Sequence, residues 1–79
     1  MLFLIRYNRR EGRIVSLDSF QEREKTTAEN RRLELELDLN RKGVRDEVVL
    51  LEAPSEDALR ITHRRYFENA RQIATTSSG

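Results

Sequence analysis

Between Leu33 and Leu39 leucine and acid alternate without a break, with Glu34, Glu36 and Asp38 between Leu33, Leu35, Leu37 and Leu39. How these seven residues fold decides how many strands the domain can have. Strict alternation is the pattern of a half-buried strand. Against it, leucine and glutamate favour helix, and the stretch holds no β-branched or aromatic residue. Arg41-Lys42-Gly43 also reads as a helix end, with cations in the last turn and a glycine cap. One long helix, Phe20 to Lys42, is therefore expected, the alternative being a helix followed by a strand from Leu33. On a wheel of 100° per residue Ala28, Leu35 and Leu39 share one face while Leu33 and Leu37 lie nearly opposite. Leu33 and Leu37 thus form a second apolar stripe, a candidate association surface.

Two short apolar runs supply the strands. Leu2-Phe3-Leu4-Ile5-Arg6-Tyr7 reads as a strand buried on both faces, and Asn8 to Gly12 as a turn ending in glycine. Arg13 to Leu17 would return as the second strand of a β-hairpin. Ser19-Phe20-Gln21-Glu22 has the spacing of a capping box for the long helix. Glu47 to Glu52 surrounds Val48-Val49-Leu50-Leu51 and reads as a second central strand, stopped by Ala53-Pro54. Ser55 then caps a last helix, with Glu56 and Asp57 in its first turn and Leu59, Thr62, Tyr66, Ala70 and Ile73 at helical spacing beside Phe67.

The expected fold is a small α+β domain of order ββαβα over residues 1–73, with a polar tail at 74–79. A right-handed crossover through the long helix and a central place for the two apolar strands give the sheet order 2-1-3. A two-layer sandwich with both helices on one face follows, leaving the other face open for a partner. In a chain of 79 residues, a core of this size rarely supplies more than a few kcal/mol, which makes self-association an expectation.

Composition narrows function. There is no cysteine, hence no disulfide framework, thiolate nucleophile or cysteine zinc site, and a reducing cytoplasm fits best. The apolar start is too short for a signal peptide, and no run approaches a membrane span. Three isolated glycines allow no phosphate-cradling loop, and no cofactor or metal is expected. Ser16, Ser19 and Ser55 suit turns and caps better than catalysis.

The formal charge of +1 conceals a pattern. Arg6 to Arg13 carries four arginines and one glutamate, Arg60 to Arg71 the same, and the segment between them is acidic. If the hairpin turn and the last helix meet, Arg9, Arg10, Arg13, Arg60, Arg64 and Arg71 form an anion or nucleic-acid patch. Otherwise these arginines pair with acids of the long helix. Thr62, His63, Arg65 and Tyr66 form a polar cluster around the lone histidine, which with Arg64 could grip a phosphate if it lined a pocket. The expected function is a non-catalytic interaction module, a homodimer or the binder of another protein, with nucleic-acid or phosphate binding as the alternative and an enzyme acting on an acidic small molecule third.

Overall fold

The computed structural model describes residues 1–67 of the chain. Its elements are β1 (Leu2–Asn8), β2 (Arg13–Phe20), a 3₁₀ turn at Glu22–Glu24, α1 (Lys25–Lys42), β3 (Glu47–Glu52), α2 (Glu56–Thr62) and a second 3₁₀ turn at Arg64–Tyr66. The α+β class, the ββαβα order and the antiparallel sheet β2-β1-β3 are those expected from the sequence.

The four-residue hairpin turn closes on Asn8, whose carbonyl accepts from Gly12 N (2.8 Å) and whose side-chain oxygen accepts from Glu11 N (2.8 Å). Gly12 has a φ of 65°, the left-handed region that costs a residue without Cβ little. β2 runs three residues past Leu17, because Asp18, Ser19 and Phe20 continue the ladder opposite Leu4, Phe3 and Leu2. The expected helix start at Ser19 and Phe20 is therefore strand. The cap shifts to Gln21, whose N–H donates to the Glu24 carboxylate (2.9 Å). Between the Arg6–Ser16 and Tyr7–Ile14 pairs the register slips by one, which leaves Val15 as a bulge. The slip puts Ile14 and Leu17, three apart, on the same face.

Residues 33–39 are helical. At the end of α1, Val44 N donates to Leu39 O (2.9 Å) and Gly43 N to Asn40 O (3.2 Å), with Gly43 at φ 71°. This Schellman cap satisfies two carbonyls that the helix leaves unpaired. Ala28 and Leu39 are buried, and Leu33 and Leu37 are 53% and 54% exposed, as the wheel requires.

The helices do not share a face, and the expected two-layer arrangement is corrected to helix, sheet, helix. On β1, Leu2 and Leu4 point to one side, with Val48 and Leu50 beside them on β3. There Leu35 lies with Leu4, and Leu39 with Val48, so α1 covers this side. Phe3, Ile5 and Tyr7 point to the other, packed with Leu17, Val49, Leu51, Ala53, Leu59 and Phe67, so α2 covers that side. The reason is β1 itself. With apolar side chains on both faces it leaves no face that water can take, and Leu2, Phe3, Leu4 and Ile5 are all at most 6% exposed. The open apolar face expected from the sequence does not exist.

The molecule measures 42, 33 and 12 Å along its principal axes. Layers stack about 10 Å apart and a seven-residue strand is about 23 Å long, so only the direction across three strands can be the thin one. β2 and β3 are the two edge strands of the sheet.

The last helix also departs from expectation. α2 stops at Thr62, and His63 leaves helical geometry at φ −124°, ψ 50°. The Thr62 hydroxyl donates back to Ala58 O (3.0 Å), a bond that loosens a helix end. The following 3₁₀ turn buries Tyr66 edge-on against Tyr7, ring centres 5.2 Å apart. Ala70, Ile73, the domain boundary at 73 and the tail 74–79 lie outside the described residues.

Candidate functional site

Antiparallel pairing of β1 with β3 brings the end of one to the start of the other, with Tyr7 opposite Glu47. The arginine-rich hairpin turn is thereby set beside the loop Gly43–Asp46, and the turn after α2 lands on the same end of the sheet. Glu47, its side chain 19% exposed, is the hub: Arg9 and Arg65 each approach its carboxylate to 3.5 Å. Arg65 also donates to the Tyr66 hydroxyl (2.6 Å), which donates to Glu47 (3.4 Å), while its guanidinium lies over the Tyr66 ring. Arg6 donates to Asp46 (2.7 Å), whose side chain is only 8% exposed.

This network answers the expectations residue by residue. The basic segments do meet at one end of the sheet, but most of their arginines are engaged. Arg13 pairs with Glu11, and Arg60 pairs with Glu56 and lies 4.6 Å from the centre of the Phe67 ring. Their partners lie in the hairpin, β3 and α2, not on the long helix as the alternative reading held. The cations of α1 pair within it, Arg32 with Glu36 and Lys42 with Asp38. Arg64 is exposed, and Arg71 lies outside the described residues. The polar cluster Thr62, His63, Arg65 and Tyr66 is drawn together in part: Arg65 donates to Tyr66, which also lines one of the clefts beside the hairpin turn. Thr62 bonds its own helix, Tyr66 is buried against Tyr7, and His63 ends α2, its ring 6.4 Å from that of Tyr66.

Two clefts flank the hairpin turn. One, about 340 Å³, has Arg13, Ile14, Leu17, Arg60 and Phe67 among its lining, with both arginines committed to acids. The other, about 440 Å³, lies between the turn and the loop after α1 and is lined by Asn8, Arg9, Arg10, Gly43, Val44, Arg45 and Asp46. Sequence reading passed over Arg45. The available signal was topological: a 2-1-3 antiparallel sheet must place the residues before β3 beside those after β1.

A second feature missed in the sequence is the difference between the two edges. β2 is interrupted by the bulge at Val15 and carries Arg13 and Asp18, devices that discourage further pairing. β3, read from the sequence as central, is the other edge. Its charges sit only at its ends, and Val48, Val49, Leu50 and Leu51 between them are all half-buried, although their partners Leu4 and Phe3 on β1 are fully buried.

Among the described residues no cluster of three or more His, Cys, Asp or Glu could hold a metal ion, and no helix is long and apolar enough to cross a membrane. No family model, curated protein or solved structure matches the chain.

Proposed function

We propose that this protein is a non-catalytic interaction module that self-associates through the free edge of β3. The observation that carries the reading is the contrast between the two edges: β2 is bulged and charged, whereas β3 offers an unbroken run of four half-buried apolar residues and an edge on which no further strand is paired among the described residues. Such an edge is a template for strand addition. A second copy placed antiparallel about a two-fold axis normal to the sheet keeps each face, so Val49 meets Val49 of its mate with Val48 beside Leu50, and the two sheets join into one of six strands, an isologous arrangement that closes on itself.

The edge is favoured over the Leu33 and Leu37 stripe on grounds of size. Two half-exposed leucines offer on the order of 200 Å², against about 800 Å² per partner in a stable specific interface. A strand edge adds backbone hydrogen bonds to the area it buries.

Sedimentation equilibrium at tens of micromolar tests the reading. The wild type is expected as a dimer and Val48→Lys as a monomer, since a lysine on an edge strand opposes pairing; circular dichroism checks that the variant retains its fold. A monomeric wild type refutes self-association. A dimer abolished by Leu33→Glu with Leu37→Glu, and unaffected by Val48→Lys, moves the interface to α1 and refutes the edge.

A further inference from the structure

The second cleft carries an inference independent of self-association. Its walls come from segments far apart in sequence, the hairpin turn with Arg9 and Arg10 and the loop after α1 with Arg45. The only acid in its lining among the described residues, Asp46, is already bonded to Arg6 at 2.7 Å. Arg9 has one carboxylate within reach, Glu47, and shares it with Arg65. Arg10 and Arg45 make no ion pair among the described residues and are exposed. The cleft is therefore lined by three arginines, of which Arg9 shares Glu47 with Arg65 and the other two have no ion pair among the described residues, around an acid already bonded to Arg6.

Holding like charges together with too few counter-charges raises the energy of the fold, by an amount that falls with salt and exposure. An anion seated between them removes that cost, and the planar guanidinium fork matches the oxygens of a phosphate better than any other side chain does. One term opposes this: the cleft lies at the C-terminal end of α1, where the helix carries partial negative charge. The Schellman cap occupies two of the terminal carbonyls, and Arg41 and Lys42 stand in the last turn, so the opposing field is offset where it is strongest. The neighbouring cleft has no comparable claim, because Arg13 and Arg60 are each held by an acid of their own.

We propose that Arg9, Arg10 and Arg45 form a phosphate-binding site. Phosphate can reach it as a small anion or as the backbone of a nucleic acid, and two probes separate these sources. Inorganic pyrophosphate is titrated against the protein by calorimetry, and a fluorescent 20-nucleotide single-stranded DNA by anisotropy, each at 25 and 200 mM NaCl. Binding of either probe is expected to weaken at least tenfold in Arg10→Ala/Arg45→Ala. For DNA, the dependence of log K on log salt should become shallower by about 1.4, roughly 0.7 for each phosphate contact removed. Arg23→Ala, on the 3₁₀ turn before α1, is the control for loss of charge alone and should leave either affinity within about twofold. Failure of both probes to bind at 25 mM NaCl overturns the site. So does binding that the double variant retains, or that Arg23→Ala weakens equally. Because the double variant leaves β3 untouched, its oligomeric state is expected to match the wild type, and a failure here is distinguishable from a failure of the dimer.

Discussion

Leu59 and Leu37 are the same residue type on two helices of one small domain, and the structure assigns them opposite consequences. Leu59 is 0% exposed and packed in the cluster of Phe3, Ile5 and Ala53, whereas Leu37 is 54% exposed on the outer face of α1. Leu59→Ala removes three buried carbons and leaves a cavity against a sheet that cannot collapse to fill it. The expected loss lies within the range of about 2 to 5 kcal/mol for such truncations, near 3 kcal/mol. A domain of this size has about 3 to 10 kcal/mol in total, so the substitution takes a large share. With a urea slope of about 1 kcal/mol/M, the midpoint moves down by roughly 3 M in a melt followed by circular dichroism at 222 nm. Leu37→Ala exchanges a half-exposed leucine for a better helix former and should stay within about 0.5 kcal/mol. Both are measured at a few micromolar and again tenfold higher, so that stability owed to association appears as a concentration dependence. A loss below 1 kcal/mol for Leu59→Ala, or an equal loss for Leu37→Ala at both concentrations, refutes the assignment of α2 to the core.

Arg6→Ala strips the partner from Asp46, a carboxylate only 8% exposed, and should destabilise the fold by about 2 kcal/mol. Replacing both residues, Arg6→Ala with Asp46→Ala, should recover part of the loss in the same urea melts, because no carboxylate is then stranded. Glu22 is held below its ordinary value of 4.5 first by its hydrogen bond to the Met1 ammonium and then by one with Glu52. A carboxyl lowered in the folded state contributes stability that is complete above its unfolded value and lost as pH falls through the folded one. Thermal melts of Glu22→Gln should accordingly show a shallower decline below pH 4.5 than the wild type, and parallel declines would remove Glu22 from the acid response.

Local signals in the sequence were read well where one physical effect dominated. Val48 to Leu51 could only be strand, Gly43 could only end a helix, and Ser55 caps α2 through its hydroxyl, which accepts from Ala58 N at 3.1 Å. Leucine's helix preference overrode alternation at Leu33 to Leu39, and the wheel placed Leu33 and Leu37 outside. Errors arose where tertiary pairing competes with local preference. Asp18 and Ser19 look like a helix start, yet pairing with Leu4 and Phe3 keeps them extended. Thr62 and His63 continue a helical stripe on paper, but α2 ends at Thr62 and Tyr66 packs on Tyr7 from the 3₁₀ turn that follows. The placement of the helices was misjudged for a related reason: β1 announced two apolar faces, and covering both takes one helix on each. The meeting of Arg10 and Arg45 was invisible to composition and needed the sheet order before it could be seen.

The double burial of β1 has a consequence for how the chain is made. β1 and β2 are complete by Phe20, but the strand and helices that cover their apolar faces are not assembled until Glu52 and Leu59 have been added. At about 5 to 20 residues per second, the hairpin waits some 2 to 8 s with Phe3 and Ile5 bare on one side and Leu2 and Leu4 on the other. During that interval the nascent hairpin is a substrate for chaperones and for its own neighbours on the same messenger, and the bulge at Val15 with the charges of Arg13 and Asp18 guards only the β2 edge.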